Sequence, residues 1–159
     1  MKTKPLTFLL ALTFLFLFSG SVYGDDYQDG MDAANKGDFK TAHELWLPLA
    51  EQGHRDAQFN LGNMYSYGLG VPQDYKEAVK WYRLSAEQGY AIAQYNLAVI
   101  YYDGRGVPKD SVSVHMWFSV AASNGNKDAV KNRNMLVEQM TPQQIEKAQE
   151  MARNWKPKK

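Results

Sequence analysis

Cysteine is absent from the 159-residue chain. That excludes a disulfide framework, a thiolate nucleophile, a cysteine-ligated zinc site and a lipidated N-terminal cysteine. An excess of one charge sign is also missing, with 18 basic residues against 17 acidic ones. No global field therefore draws the chain to nucleic acid or to an anionic membrane. No apolar run reaches the roughly 20 residues a membrane-spanning helix needs. Histidine occurs three times, as His43, His54 and His115, never in a His-x-x-x-His pair and without carboxylates at ligand spacing. What is present is an ordinary globular composition, 45% hydrophobic and 22% charged, with seven Met, ten Tyr and seven Phe. Such a balance suggests one domain with an aromatic-rich helical interior.

The first 24 residues differ from the rest. Lys2 and Lys4 precede an apolar stretch at 6–18 broken only by Thr7 and Thr13, and small residues follow up to Gly24. A basic start, a short apolar run and a small-residue exit are the three parts of a secretory signal peptide. Cleavage between Gly24 and Asp25 is expected, with a periplasmic or secreted product. The product would carry 16 basic and 17 acidic residues, a net charge of −1, and would not insert in a membrane.

The remainder repeats itself. Asp38, Asp74 and Asp110 lie 36 residues apart, as do Gly53, Gly89 and Gly125. Residues 38–73 set above 74–109 without a gap agree at 16 of 36 positions, and a third copy from Asp110 keeps Trp117, Ala122, Gly125, Ala129 and Asn132. Self-similarity at this period predicts a solenoid of helix pairs. Asp74 reads as a helix N-cap with Glu77 three positions on. Ala78, Trp81, Tyr82 and Ser85 follow at helical spacing, and Gly89 supplies the left-handed residue that ends the helix. The next helix carries Ala93, Asn96, Leu97, Ile100 and Tyr101 on one face, and Gly104-Arg105-Gly106-Val107-Pro108 stops it. Thr141-Pro142-Gln143-Gln144 reads as a capping box with proline in the first turn, opening a polar last helix over about 142–154. The Lys156–Lys159 tail is expected to fray.

The segment Leu61-Gly62-Asn63-Met64-Tyr65, followed by Gly68-Leu69-Gly70-Val71-Pro72, Asp74, Lys76, Ala78, Trp81-Tyr82, Ala86 and Gly89, resembles the Sel1-like repeat, a relative of the tetratricopeptide repeat. The Gly-x-Gly-Val loop separates it from the plain tetratricopeptide pattern. The resemblance covers about 38–136 and implies an all-α, right-handed solenoid of antiparallel helix pairs. The expected layout is a cap helix at 25–37, units at 38–73, 74–109 and 110–140, and a C-terminal cap helix at 141–155. It further implies an adaptor or scaffold that binds a protein or peptide and catalyses nothing. Some cysteine-rich secreted relatives are linked to penicillin binding and hydrolysis, so an envelope ligand-binder or hydrolase, related to peptidoglycan or β-lactams, is the alternative. The missing cysteines disfavour it.

No residue pattern contradicts a non-catalytic role. Gly-x-Ser-x-Gly is absent. Gly68-Leu69-Gly70 and Gly104-Arg105-Gly106 neither follow a strand nor carry Gly-Lys-Ser/Thr, so they read as turns. No catalytic, metal-binding or cofactor-binding residue is expected, and a monomer is. Trp81 and Trp117 read as wedges between helices, and Asn60, Asn96 and Asn132 as amides bonded to backbone in the interior.

One face offers a binding surface. About 160–180° from the stripe Ala57, Leu61, Met64 and Tyr65 lie Phe59 and Ser66, with Asn63 close by; the next copy places Tyr95, Val99 and Tyr102 there, and the third Lys131, Met135 and Glu138. Two outcomes are open: packing between successive units, or a concave recognition groove. The groove would centre on Phe59, Tyr95, Val99 and Tyr102, with Gln58 and Gln94 offering amides to a partner's backbone.

Overall fold

A computed structural model describes residues 19–158, with side chains from residue 25 onward. Of the expected signal segment, 1–18 lie outside the described residues. Eight helices follow in order: α1 (Ser19–Asn35), α2 (Phe39–Glu51), α3 (Arg55–Tyr67), α4 (Tyr75–Glu87), α5 (Ala91–Asp103), α6 (Ser111–Ser123), α7 (Lys127–Val137) and α8 (Pro142–Asn154). No strand occurs among the described residues. Each helix from α2 to α7 packs on its predecessor, and α8 folds back onto α6. The architecture is an α-helical repeat solenoid. None of these helices is long and apolar enough to cross a membrane.

Two kinds of N-cap alternate. Asp38, Asp74 and Asp110 cap α2, α4 and α6 with their carboxylates, and Asp74 accepts from the amides of Lys76 at 2.9 Å and Glu77 at 3.2 Å. The caps of α3 and α7 are the side chains of His54 and Asn126, while Tyr90 begins α5 without a side-chain bond. Thr141 and Gln144 exchange both bonds of a capping box at the head of α8.

The loops after α3 and α5 are built alike. Gly68 and Gly104 end the helices at φ 67° and 71°, their amides bonded to the carbonyls of Met64 and Ile100. Two residues on, Gly70 and Gly106 have φ 70° and 68°. A Cβ on Gly70 would lie 2.6 Å from the Phe39 carbonyl carbon, and one on Gly106 would lie 2.9 Å from the Lys76 nitrogen. Each loop thus rests on the first turn of the helix before last, where only glycine fits.

Complementary sizes set the spacing within each unit. A Cβ on Gly30 would meet the Trp46 indole at 2.3 Å, and one on Gly62 would meet the Tyr82 ring at 2.5 Å. At the corresponding positions of the following unit stand Ala98 and the smaller Phe118, both buried. Trp81 and Tyr82 are neighbours on α4 yet belong to two different apolar clusters, one shared with α2 and α3, the other with α5 and α6. An interior helix of a solenoid is therefore buried on two sides. Trp81 and Trp117 are wedges as expected, 4% and 5% exposed.

As far as Lys158 the tail packs back onto the solenoid, against the expectation that it frays. Trp155 stacks edge-on against Trp117 at 6.3 Å, and Pro157 rests on Gly89. Lys158 donates its amide to the Glu87 carbonyl at 2.7 Å and its Nζ to the Glu87 carboxylate at 2.8 Å. The half-buried asparagines of the repeat also differ from expectation, since tyrosine hydroxyls rather than backbone meet them. Asn60 donates to Tyr27 Oη at 3.3 Å and Asn132 to Tyr95 Oη at 2.9 Å, while Asn96 bonds the Tyr82 hydroxyl.

Candidate functional groove

Three turns of α5 present Tyr95, Val99 and Tyr102 to one side, where α6 contributes Phe118 and α7 contributes Asn132, Met135 and Leu136. Together with Gln139 they enclose an open cavity of 260 Å³. Phe118 is its buried floor, and the Tyr95 ring leans on it at 5.6 Å. The rim is exposed: Tyr102 is 47% accessible and Met135 51%. No ionisable carboxylate, lysine, arginine or histidine lines it, so it is a predominantly apolar recess with two amides at its edge.

Three of the expected site residues, Tyr95, Val99 and Tyr102, come together here. Phe59 does not join them. Its ring packs edge-on against Tyr90 at 5.1 Å and beside Tyr82 at 5.9 Å, between one unit and the next. Gln58 and Gln94 require a correction, because both are buried and their amides are already committed. Gln58 donates to the Ala50 carbonyl at 3.0 Å and accepts from Gln88 at 2.7 Å. Gln94 donates to the Ala86 carbonyl at 2.9 Å and accepts from Asn124 at 2.9 Å. These amides fasten successive helix pairs together, and their burial keeps them out of reach of a partner's backbone.

Phe118, Leu136 and Gln139 were not anticipated. A signal for Phe118 lay in the repeat itself, where it replaces Tyr82 of the previous unit. In that unit the corresponding space measures only 60 Å³ and is lined by Ser66, Tyr82, Asn96, Val99 and Ile100 among others. There Tyr82 donates to Asn63 Oδ1 at 2.7 Å. Burial pushes its hydroxyl well above the usual phenol range, against the opposing hydrogen bond with Asn96, so it stays a neutral donor. Phe118 has no hydroxyl, and Val99 stands where Asn63 would answer it.

The groove continues past Tyr102, Leu136 and Gln139 into an adjoining recess of 170 Å³ that adds Lys109, Asp110 and Ser111. Asp110 caps α6 through the Val112 amide at 3.0 Å and accepts from the Ser113 hydroxyl. Burial works to raise its carboxyl, but those hydrogen bonds and the nearby Lys147 outweigh it and hold it below the usual range. His115, on the hidden side of α6, is buried against Ser119. Burial, then Arg133, pushes its imidazole pKa down and keeps it neutral. Among the described residues no group of three or more His, Cys, Asp or Glu is placed to hold a metal ion.

Similarity to known proteins agrees with this geometry. The chain is similar in structure to c5321, a protective antigen of uropathogenic Escherichia coli strains displaying an SLR fold. The TM-score is 0.80 at 33% identity, covering 85% of this chain and 30% of that one. A Sel1 repeat protein from Oxalobacter formigenes gives a TM-score of 0.69 at 32% identity, over 74% of this chain and 50% of its own. An uncharacterized Sel1-like repeat-containing protein of Schizosaccharomyces pombe is 49% identical over 39 residues, 24% of this chain and 6% of that protein. The chain thus spans half or less of the length of each of these relatives. Residues 23–54, 55–90 and 91–126 each match the Sel1 repeat, a division that starts each unit one helix away from the aspartate-led units of the sequence. With three such matches spanning most of the described solenoid, the chain belongs to the Sel1 repeat family.

Proposed function

We propose that this protein is an exported, non-catalytic scaffold that binds a protein or peptide partner through the recess between α5, α6 and α7, on the concave side of the solenoid. Sel1-like repeat proteins are generally protein-interaction scaffolds, and their fold is typically non-catalytic. The observation that carries the assignment is the 260 Å³ cavity with Tyr102 and Met135 half exposed at its rim. Aromatic and methionine side chains around a concave apolar recess are the composition of a recognition surface. Export rests on the pattern of residues 1–24, and a mature N-terminus at Asp25 by Edman sequencing tests it.

The binding site is tested by placing a photoreactive benzoylphenylalanine at position 102 of the full chain in its native host, with position 80 on α4 as control. A discrete adduct from 102, lost on Met135→Glu, is expected. Adducts of equal yield from both positions, or none from 102, would remove this site from consideration.

A further inference from the structure

We infer that the groove along α5–α7 recognises the C-terminus of a polypeptide ending in a large apolar residue, taking its side chain in the apolar recess and its carboxylate at Lys109. This rests on the partner-binding function proposed above and names what the partner presents.

Four observations converge on it. The apolar recess holds 260 Å³, against 60 Å³ in the equivalent space one unit earlier. An engineered cavity of about 150 Å³ accepts benzene, so this one has room for a leucine, phenylalanine or indole side chain. The second recess is polar, holds 170 Å³ and shares Tyr102, Leu136 and Gln139 with the first. The two therefore adjoin, and a ligand filling both needs an apolar arm and a polar arm branching from nearly one point.

The polar arm is anionic. Lys109 makes no ion pair among the described residues, where the lysines and arginines that pair do so with Asp56, Glu77, Asp103 and Glu87. Asp110, its neighbour in the recess, is turned to the α6 N-terminus, bonded to the Val112 amide and the Ser113 hydroxyl. Its charge is further offset by Lys147 of α8. Lys109 is exposed at the recess with its ammonium open to an incoming anion, and Ser111 adds a hydroxyl to the same lining.

The third arm is an amide. The Gln139 side chain lies exposed on the border of both recesses, and only its backbone is engaged, donating to the Leu136 carbonyl at 2.9 Å. A carboxylate, a large side chain and a peptide amide radiate from a single carbon only at the last residue of a chain. An aspartate or glutamate next to an internal apolar residue carries its charge several ångströms further out. A free amphiphilic acid has no peptide amide to offer Gln139.

The test uses the full-length mature chain, ¹⁵N-labelled, titrated to millimolar concentration with Gly/Ser octapeptides. Peptides ending in Leu or Phe as free acids are compared with their C-terminal amides, with the same peptide ending in Ala, and with octanoic acid. The Leu and Phe free acids should move the resonances of Tyr102 and Gln139. Amidation or a terminal Ala should weaken binding at least fivefold. Lys109→Gln, a surface change, should lower the free acid to the level of the amide and leave the amide unchanged. Gln139→Ala should weaken both forms alike. Equal binding of acid and amide, shifts confined to other parts of the molecule, or no shifts would each overturn the inference. So would octanoic acid binding as tightly as the peptides, which would make this a small-acid site. If position 102 still cross-links a partner after such a result, the scaffold function stands and only C-terminal recognition falls.

Discussion

The space between α3, α4 and α5 and the space between α5, α6 and α7 are the same place in the fold, one repeat apart. The first is nearly filled and the second is open. Tyr82, Asn63 and Asn96 close the earlier one with a hydrogen-bonded cluster, whereas Phe118, Val99 and Asn132 occupy the matching positions of the later one. Asn132 turns instead to the Tyr95 hydroxyl. Loss of one phenolic oxygen and its amide acceptor leaves apolar walls with no polar reason to draw together. A repeat protein can therefore keep its backbone and create a recess at one unit only, by exchanging a polar pair for an apolar one.

The sharpest way to break this comparison is to truncate the ring that closes the earlier space and the ring at the rim of the later one. Tyr82→Ala removes a fully buried aromatic and should cost about 3–5 kcal/mol. Tyr102→Ala, at an exposed rim, should lie within about 0.5 kcal/mol of wild type. Urea melts of both decide it, and comparable losses would mean that the later space is as much core as the earlier one.

A second, smaller effect concerns what the two units share. Gly106→Val forces a β-branched residue to φ 68° and into the Lys76 amide, and should cost about 1–3 kcal/mol. Gly70→Val should cost a similar amount, because its loop is built the same way. A melt showing either variant unchanged would show that the loops are not equivalent.

The smallest effect sharpens the polar exchange itself. Tyr82→Phe and Asn63→Val each strand a partner and should cost about 1–2 kcal/mol alone. The double variant should cost less than their sum, by about 0.5–1.5 kcal/mol of coupling. Strict additivity in the thermodynamic cycle would mean that the cluster does not close the space.

The fold was legible because a 36-residue period, Asp N-caps, glycine stops and a capping box each act locally. The two spaces were half legible. Tyr95, Val99 and Tyr102 were assigned to one face and do meet there. Gln58 and Gln94 were misassigned because a helical wheel assumes one buried stripe, while a solenoid helix is covered from two sides. Whether an amide on its flank meets water or the next unit depends on residues such as Gln88 and Asn124, 30 positions away. The difference between Tyr82 and Phe118 was visible in the alignment of the copies. Its meaning was not, because both are aromatic and fill almost the same volume.

A linear array of helix pairs comes apart like a zipper, starting from whichever end is loosest. The tie from Lys158 back to Glu87 spans 71 residues and closes the C-terminal half into a ring. Within that ring α8 cannot peel from α6 without also releasing the end of α4, so the last unit is fastened to the middle of the molecule. The terminus nearest the recess is thereby anchored on an interior helix instead of ending on its own neighbour alone.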